Sequence, residues 1–544
     1  MKKIKLCLII SICAFSSLFA QTEPELKLPD LTTVIDSSSV ISEELPLPEF
    51  DNVLVQVQDS TQIVPQLPED VVLQNNDFVL EKDDELQKTV YVEGQLGGGY
   101  PTSFIGDFAL SSLYGINPFK VTFNHKSTNC YANHPFSAGF NDSNTNISVD
   151  KTLVHNKMIW NFGGNYENLQ NGLQQQVENL NSVNQNFVNG FANLNWLLPK
   201  GFEIGSKVYS NFYHRFMDIT KTSNADFSCP KWIEYNPVFY IQPNIFAKWK
   251  NNSFEVNFNA TYEAERLFRT ENSVKQNNRG EFDFDFAWKN DYITTKMNLG
   301  IVVGNLIGKN AILVPFAAEV NANLPVYFSN RKLFFAIKGG LESNNNSIYE
   351  LEKLYNFTAI SKMPSETTDW FGNLNISIPI KNTFTANVAL DFKKTAFGNS
   401  SYVPMFNSEL PNWGLFDFTT FDRTIFASNL NIIYHYKLFT FSGSWKANWL
   451  DVMPLENKQL LMFNVSFQNK TSRYGFDSSC ALFLDGNDRT PFVDFSVFVQ
   501  TTNSVRVTLA TKDLLKLISA ESRTYAAPYI SQGGNVTLLI KFMF

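Results

Sequence analysis

The chain alternates apolar and polar residues over long stretches, which is the period of a β-strand. In EFDFDFAW (281–288) three phenylalanines and a tryptophan share one parity, and mainly carboxylates occupy the other. Since successive strand side chains point to opposite faces, one face is aromatic and the other acidic. The pattern recurs in FEVNFNATY (254–262), NTFTANVALDF (382–392) and LFTFSGSWKANW (438–449). No helix-period segment of useful length competes with it, so the sequence predicts an all-β protein.

Twenty-two segments of this kind span the chain from residue 88 onward, and each predicts one strand. They are 88–98, 102–113, 117–126, 145–151, 157–166, 186–196, 201–212, 237–249, 253–263, 279–289, 291–303, 311–324, 331–342, 368–380, 382–393, 424–436, 438–449, 458–468, 473–484, 490–500, 504–513 and 534–544.

The connectors between these segments alternate in length as well. Connectors from an even to an odd segment are short, as at 198–201 and 250–252, whereas most others are long, as at 343–367 and 394–423. Short periplasmic turns, long extracellular loops and an even strand number are typical of outer-membrane barrels. We therefore predict a transmembrane antiparallel up-and-down β-barrel of about 22 strands, within a range of 18–22, in the bacterial outer membrane. Its aromatic face would contact membrane lipid, and its polar face would line a wet lumen.

The first 20 residues have the composition of a secretory signal peptide. Lys2, Lys3 and Lys5 precede a short apolar run, and small residues lead to Ala20. The apolar run is shorter than the ~18 residues that a spanning helix needs, so residues 1–20 are predicted to be cleaved after export.

Residues 21–88 differ in composition from the rest of the chain. They hold 16 acidic residues, three lysines and six prolines, a formal charge of −13 in a chain whose total is −8. Such a segment cannot bury enough apolar surface to offset its ordering entropy. We predict an acidic, disordered periplasmic tail at 21–87 and the barrel at 88–544.

Two further features agree with a membrane barrel. Trp196, Trp249 and Trp288 each precede a short turn, so we expect them at one membrane interface, where indole rings are favoured. The last segment, NVTLLIKFMF, ends with Ile540, Phe542 and Phe544 on its apolar parity. This ending is the kind of signal that the barrel-assembly machinery reads.

Three stretches carry a family resemblance: VEGQLGGGYPTSFIGDFAL (92–110), GGLESNNNSIYELEKLYNF (339–357) leading into DWFGNLNISIPI (369–380), and KDLLKL (512–517). Together with the count of 22 strands, they resemble the barrels of TonB-dependent receptors of Gram-negative bacteria, most closely plug-poor forms. Members carry a folded plug before the barrel, whereas only the acidic tail precedes the barrel here. The resemblance also implies a TonB-like periplasmic partner, with DNVLVQV (51–57) as a candidate segment that would pair with it as an added strand.

The polar parity supplies the candidate lumen-lining residues. They are Glu281, Asp283, Asp285, Lys296, Asn373, Asn375, Asn387, Asp391 and Lys446. Asp283 and Asp285 lie about 7 Å apart on one strand face, with Lys296 on the next strand as a candidate partner. We expect them to set lumen electrostatics, although paired carboxylates also serve in catalysis.

Other chemistry is not indicated by the sequence. The five histidines lack metal-ligand spacing, and no GxSxG, P-loop or nucleotide fingerprint occurs. We therefore predict no enzyme activity, catalytic residue, metal, cofactor or nucleic-acid partner. Cys130 and Cys229 both fall in predicted outer loops, where an oxidising exterior permits a disulfide between them.

Two functions fit these observations. The first is transport, in which a receptor-like or porin-like barrel passes a hydrophilic solute across the outer membrane. The alternative is a surface-exposed interaction or anchoring barrel, whose loops or acidic tail bind a partner. Because 22 strands enclose more space than wall side chains can fill, either function requires the long loops or the tail to close the lumen, or else an open pore.

Overall fold

The structure is a computed structural model that describes most of the chain after residue 89. The described residues are 90–112, 117–219, 231–268, 275–304, 312–325, 332–364, 366–380, 383–396, 401–485 and 489–544. The predicted signal peptide, the acidic tail with its DNVLVQV segment, and Cys229 lie outside these residues.

Twenty-two antiparallel strands form a single sheet. The strands are β1 (Tyr91–Tyr100), β2 (Ser103–Ser112), β3 (Phe119–Thr128), β4 (Asp142–His155), β5 (Met158–Gly172), β6 (Leu180–Leu197), β7 (Phe202–Ile219), β8 (Tyr235–Lys250), β9 (Phe254–Leu267), β10 (Lys275–Lys289), β11 (Ile293–Gly304), β12 (Ile312–Leu313 and Phe316–Pro325), β13 (Lys332–Asn344), β14 (Thr367–Ile380), β15 (Phe384–Thr395), β16 (Thr424–Tyr436), β17 (Phe439–Asn448), β18 (Gln459–Gln468), β19 (Tyr474–Phe483), β20 (Phe492–Thr502), β21 (Val505–Lys512) and β22 (Asn535–Met543).

The sheet closes on itself, which confirms the predicted barrel. Each strand pairs with its neighbours in the chain, and β1 pairs with β22 from Glu93 opposite Met543 to Tyr100 opposite Val536. The strand of β12 is interrupted near Pro315, which has no backbone N–H to donate to the ladder. Each of the 22 predicted segments corresponds to one strand.

The outer face of the barrel is apolar, as the alternation predicts. Phe282 and Phe284 of β10 are about half exposed, at 50% and 48%, and similar side chains recur on one parity of the other strands. A continuous exposed apolar wall of this size requires a non-aqueous surrounding. Among the described residues, no helix is long and apolar enough to cross a membrane.

The long loops fold over one end of the barrel and build most of the buried core. They contain the helices α1 (Lys231–Glu234), α2 (Ile348–Leu354) and α3 (Leu514–Ser519), and two ribbons that pair Ser401–Pro404 with Phe418–Phe421 and Thr524–Ala526 with Tyr529–Ile530. We call the loop residues 345–364, 401–423 and 513–534 the cap.

Two hydrophobic clusters join the cap to the inner face of the wall. One packs Phe357, Leu415, Phe416 and Tyr529 of the cap against Met217 and neighbouring wall residues. The other packs α2 and Ile360 against side chains of β6 to β9. The cap therefore extends into the barrel mouth.

Candidate functional site

All nine predicted lumen-lining residues lie on the inner parity of their strands, opposite the exposed phenylalanines. The register sets the carboxylate-bearing face of β10 beside Asn257 and Asn259 of β9 on one side and Asn298 of β11 on the other. The inner wall is thus rich in polar side chains, many of them asparagine. The polar lining follows directly from the alternation, because one parity of a closed sheet must face inward.

Arg279 organises the carboxylates at the outer end of β10. Its guanidinium contacts Glu281 at 2.7 Å, Glu263 of β9 at 3.1 Å and Glu366 of the loop before β14 at 3.3 Å. Its Nη2 also donates to the carbonyl of Ser343 at 3.3 Å. One buried cation therefore joins its own strand β10 to β9, β13 and a loop, as the rigid fork of arginine allows.

Asp285 is held by amides and not by a cation. It accepts hydrogen bonds from Asn257 at 3.0 Å, Asn259 at 3.4 Å and Asn298 at 2.7 Å. The pairing predicted between Lys296 and the two aspartates is wrong. Lys296 lies opposite Ala287 on one side and Glu319 on the other, and its Nζ approaches Glu319 at 3.5 Å. The register thus places a carboxylate directly across from Lys296, closer than Asp283 or Asp285.

The remaining predicted positions lie on β14 to β17. Asn373 donates to Asp391 at 2.6 Å, and Lys446 lies 3.9 Å from Glu456. Asn375 and Asn387 line a shallow cavity of about 300 Å³ in this wall. The structure therefore places these residues on the inner parity and gives partners that the alternation does not predict, while their role in lining a conducting lumen stays a prediction.

Glu352 of α2 binds the cap to the inner face of β6 and β7. One carboxylate oxygen accepts from Arg215 Nη1 of β7 at 2.6 Å and from the Ile360 amide at 2.8 Å. The other accepts from the Tyr213 hydroxyl, and Gln185 Nε2 of β6 donates to the Glu352 carbonyl at 3.1 Å. Both side chains of the Arg215–Glu352 ion pair have 0% exposure. We call Glu352, Arg215, Tyr213 and Gln185 the Glu352 anchor.

Local sequence explains why a helix forms at this point of the loop. The Ser347 hydroxyl caps α2 by accepting from the Glu350 amide at 3.3 Å, and glutamate at the third position is favoured by the helix dipole. The Ile348 amide, left free at the helix start, donates to Glu265 of β9 at 2.9 Å. Lys353 at the other end contacts Glu167 of β5 at 2.5 Å. Together with the Glu352 anchor, the helix thus carries polar contacts to four wall strands, β5, β6, β7 and β9.

The outermost layer of the cap joins loops that are far apart in sequence. Phe357 stacks on Tyr529 with ring centroids 3.9 Å apart, and the Tyr529 hydroxyl donates to the Gly414 carbonyl at 2.6 Å. Gln174, in the loop between β5 and β6, exchanges two hydrogen bonds with the backbone of Ile530. Four loops therefore support one another across the mouth.

Burial changes the acidity of carboxyl groups in the cap and in the loops beside it. Desolvation raises the pKa of Glu366, in the loop before β14, to about 7, against the opposing effect of Arg279. Desolvation also raises the pKa of Glu350 in the cap and of Glu456 in the loop between β17 and β18. These carboxyl groups therefore bind protons more strongly than free ones.

The other predicted site residues occupy the following places. Trp196, Trp249 and Trp288 lie at the short-turn end of β6, β8 and β10, and Trp249 approaches Phe202 with ring centroids 6.3 Å apart. Their interface role stays a prediction.

The last predicted site residues are those of the terminal strand and the two cysteines. Ile540 and Phe542 pair with Leu96 and Gly94 of β1, and the Phe544 backbone exchanges hydrogen bonds with Val92. The assembly signal stays a prediction. Cys130 lies in the loop after β3, and its predicted disulfide to Cys229 falls outside the described residues.

The Glu352 anchor is the feature that sequence analysis missed. The strand segment 201–212 was predicted too short, because Tyr213, Arg215 and Met217 continue the inner parity of β7 to Ile219. Arginine on the inner parity beyond a predicted strand end is a signal of a buried partner. The spacing of Ile348, Leu351 and Tyr355 is a short helical signal.

A closed barrel of 22 strands with an apolar outer face, a polar inner wall and inward-folded loops is an outer-membrane β-barrel. No family model and no curated protein sequence matches the chain. Solved structures do match. The siderophore receptor PirA from Acinetobacter baumannii aligns over 85% of this chain and 81% of its own, with 9% identity and a TM-score of 0.60.

Two more solved structures have the same fold. The FrpB iron transporter from Neisseria meningitidis aligns over 84% of this chain and 83% of its own, with 8% identity and a TM-score of 0.63. The copper transporter OprC aligns over 84% and 80%, with 10% identity and a TM-score of 0.59. The fold is therefore that of the TonB-dependent receptor barrels, as the sequence resemblance predicted.

Proposed function

We propose that this protein is an outer-membrane transport barrel that passes a hydrophilic solute through its lumen, with the cap as the outer gate. The inner wall continues below the cap with Asp283, Asp285, Asn375, Asn387 and other polar residues. An anchor needs no polar conduit of this width, because eight strands already make a filled barrel. The polar wall beneath a loop-built cap is the observation that carries the proposal.

The neighbouring structures agree with transport but do not identify the solute. They are described as a siderophore receptor, an iron transporter and a copper transporter. At 8–10% identity they share the fold with this chain, and residue-level specificity is not carried over at that distance. Energised opening through a TonB-like partner at the tail remains part of the proposal.

A specific observation also favours the anchoring alternative. The Arg215–Glu352 pair is fully buried, and the carboxylate also accepts from the Ile360 amide and the Tyr213 hydroxyl. Opening the cap would break the contacts of Glu352 with β6 and β7 and expose the apolar side chains packed around them, so the cap resists opening without an external input. A cap that never opens would present a fixed surface to a partner outside the cell.

Ion conductance in planar bilayers distinguishes the two functions. We would compare the refolded mature chain, a variant without residues 21–87, and a variant in which 346–364 is replaced by a short Gly-Ser linker. Transport through a gated lumen predicts small currents from the mature chain and large, steady currents after loop removal. Conductance restored by tail removal alone would identify the tail as the closing element.

Silence from all three variants would refute a conductive lumen and leave the anchoring function. Barrel integrity would be checked by heat-dependent mobility on a denaturing gel, since folded barrels migrate differently from unfolded chains. Glu352→Gln serves as a milder variant, because it removes the anchor's charge while the loop keeps its length. We expect brief openings from it and none from Glu319→Gln, whose pair with Lys296 lies on the open wall.

A further inference from the structure

The inner wall of β13 to β16 carries a shallow cavity lined by neutral residues. Its lining contains Phe334, Asn375, Ile376, Ser377, Asn387, Val388, Ala389, Asn429 and Asn431. It has no charged side chain among these residues. We refer to it as the amide cavity.

The four asparagines of the amide cavity have free hydrogen-bonding capacity. Within the described part of the chain, their side chains form no hydrogen bond to another residue. By contrast, Asn373 binds Asp391, and Asn257, Asn259 and Asn298 bind Asp285, whereas the Asn211 carboxamide of β7 is unpartnered but buried. Each free carboxamide offers two donors and an acceptor oxygen with two lone pairs.

The sheet arranges these amides as a regular grid. Asn387 lies directly opposite Asn431 on β16 and opposite Ser377 on β14, and Ala389 separates Asn375 from Asn429. Neighbouring strands are about 5 Å apart, and residues two apart on a strand are about 7 Å apart. Neutral groups that both donate and accept therefore recur at spacings comparable to the hydroxyl groups of a sugar ring.

The nearest wall charges are held by other groups. Asp391 lies one inner position above Ala389 and accepts from Asn373 at 2.6 Å. Lys446 lies opposite Asn429 and 3.9 Å from Glu456. Phe334 adds an aromatic surface against which the C–H face of a sugar ring can pack. A neutral hydroxyl-rich ligand uses both features, whereas an ion would lose hydration without a counter-charge.

We infer that the amide cavity is a binding site for a neutral polyhydroxylated solute, such as one or two units of an oligosaccharide. The inference rests on the proposed transport function for its role, since it names the solute class that the lumen would pass. The volume of about 300 Å³ lies at the lower end of the range for small-molecule sites. That size fits a small saccharide better than a large, rigid ligand.

The position of the cavity allows a test that does not depend on the cap. Asn387 is three residues from the start of β15, and Ser377 is three from the end of β14, both at the short-turn end. We would titrate the refolded full chain in detergent micelles with maltotriose by isothermal titration calorimetry. Trigalacturonate, an anionic saccharide of the same length, is the matched probe for charge.

We expect saturable maltotriose binding that is weakened about tenfold in an Asn387→Ala/Asn431→Ala variant, since two direct hydrogen bonds are lost. Asn193→Ala is the control, because Asn193 lies on the inner face of β6, away from the cavity. Phe334→Ala is expected to weaken binding separately. Heat-dependent gel mobility would establish that each variant remains a folded barrel.

Three results would overturn the inference: no saturable binding by the unaltered chain, equal binding by the double variant, or tighter binding of trigalacturonate than of maltotriose. The conductance experiment fails or succeeds independently of these outcomes. Binding without conductance would refute the transport function and keep the saccharide site. Conductance without binding would keep transport and refute the solute class.

Discussion

Two parts of the inner wall share one alternation pattern but have opposite chemistry. On β5 to β9 the inner residues are buried under the cap, with Arg215, Glu265 and Tyr213 all in contact with it. On β14 to β16 the inner residues form the amide cavity, and no cap side chain is among its lining residues.

The alternation decides which residues face inward. Whether the cap covers them decides whether their polar groups need partners within the protein. A charge buried under a loop needs a partner and hydrogen bonds, and Glu352 receives these from Arg215, Tyr213 and the Ile360 amide. A side chain facing an open lumen is solvated and needs no protein partner. Neutral amides without partners occur on both walls, since the buried carboxamide of Asn211 on β7 also has none among the described residues. The amides of the amide cavity differ from it in lying on the uncovered wall.

The largest expected effect is the loss of one member of the Glu352 anchor. Arg215→Ala leaves a fully buried carboxylate without its cation, so we expect the cap to lose about 3–5 kcal/mol of stability against opening. Amide hydrogen exchange of residues 348–360 would measure this directly. Adding Glu352→Leu to Arg215→Ala should recover much of the loss, since both charges are then removed.

Lys296→Ala provides the matched control on the uncovered wall. Its pair with Glu319 is 3.5 Å long, and the lysine side chain is 54% exposed. Solvent-exposed pairs contribute at most about 1 kcal/mol, so cap exchange should not change. If the two variants had similar effects, the distinction between the covered and uncovered walls would be wrong.

The strands of the barrel wall can be predicted from the sequence because the cause of their alternation is local. Lipid on one side and water on the other impose a period of two, which a window such as 424–436 displays. The bounds predicted for that strand match those of β16. Strands β6 and β7 extend beyond their predicted ends, where the inner positions of β7 are Tyr213, Arg215 and Met217, which are buried against the cap.

The cap could not be predicted in the same way because its contacts join distant segments. Glu352 and Arg215 are 137 residues apart, and Gln174 and Ile530 are 356 apart. The local alternation of apolar and polar residues does not indicate such pairings. The same reason explains the incorrect partner for Lys296, since the register of β11 against β12 was not available from either segment alone.

The next prediction concerns the effect of pH on the stability of the closed cap. Burial raises the pKa of Glu366 from 4.5 to about 7, so the closed cap binds this proton more strongly than the opened one does. The resulting stability is fully present below pH 4.5 and is lost as the pH rises through 7, a change of up to about 3 kcal/mol. The protection factors of the cap amides, which compare their exchange with that of unstructured amides at the same pH, should therefore be larger at pH 5 than at pH 8.

Glu366→Gln tests the assignment of this pH dependence. The groups facing Glu366 are Arg279, Glu263 and Glu281, and the variant leaves all three in place. Most of the difference between pH 5 and pH 8 should disappear in the variant, with Glu350 accounting for a remainder of the same sign. An unchanged pH profile would show that Glu366 does not control the cap.

The smallest expected effect compares one functional group on the two walls. Gln185 is buried and donates to Tyr213 and to the Glu352 carbonyl, so Gln185→Ala should cost about 1–3 kcal/mol of cap stability by leaving polar groups unsatisfied. Asn431→Ala removes an amide from the uncovered wall, and we expect a change within about 0.5 kcal/mol. Exchange of residues 348–360 in the two variants gives the measurement. A comparable loss in both would mean that the amide cavity is also a structural contact, whereas a loss confined to Gln185→Ala leaves the uncovered amides available to bind a ligand.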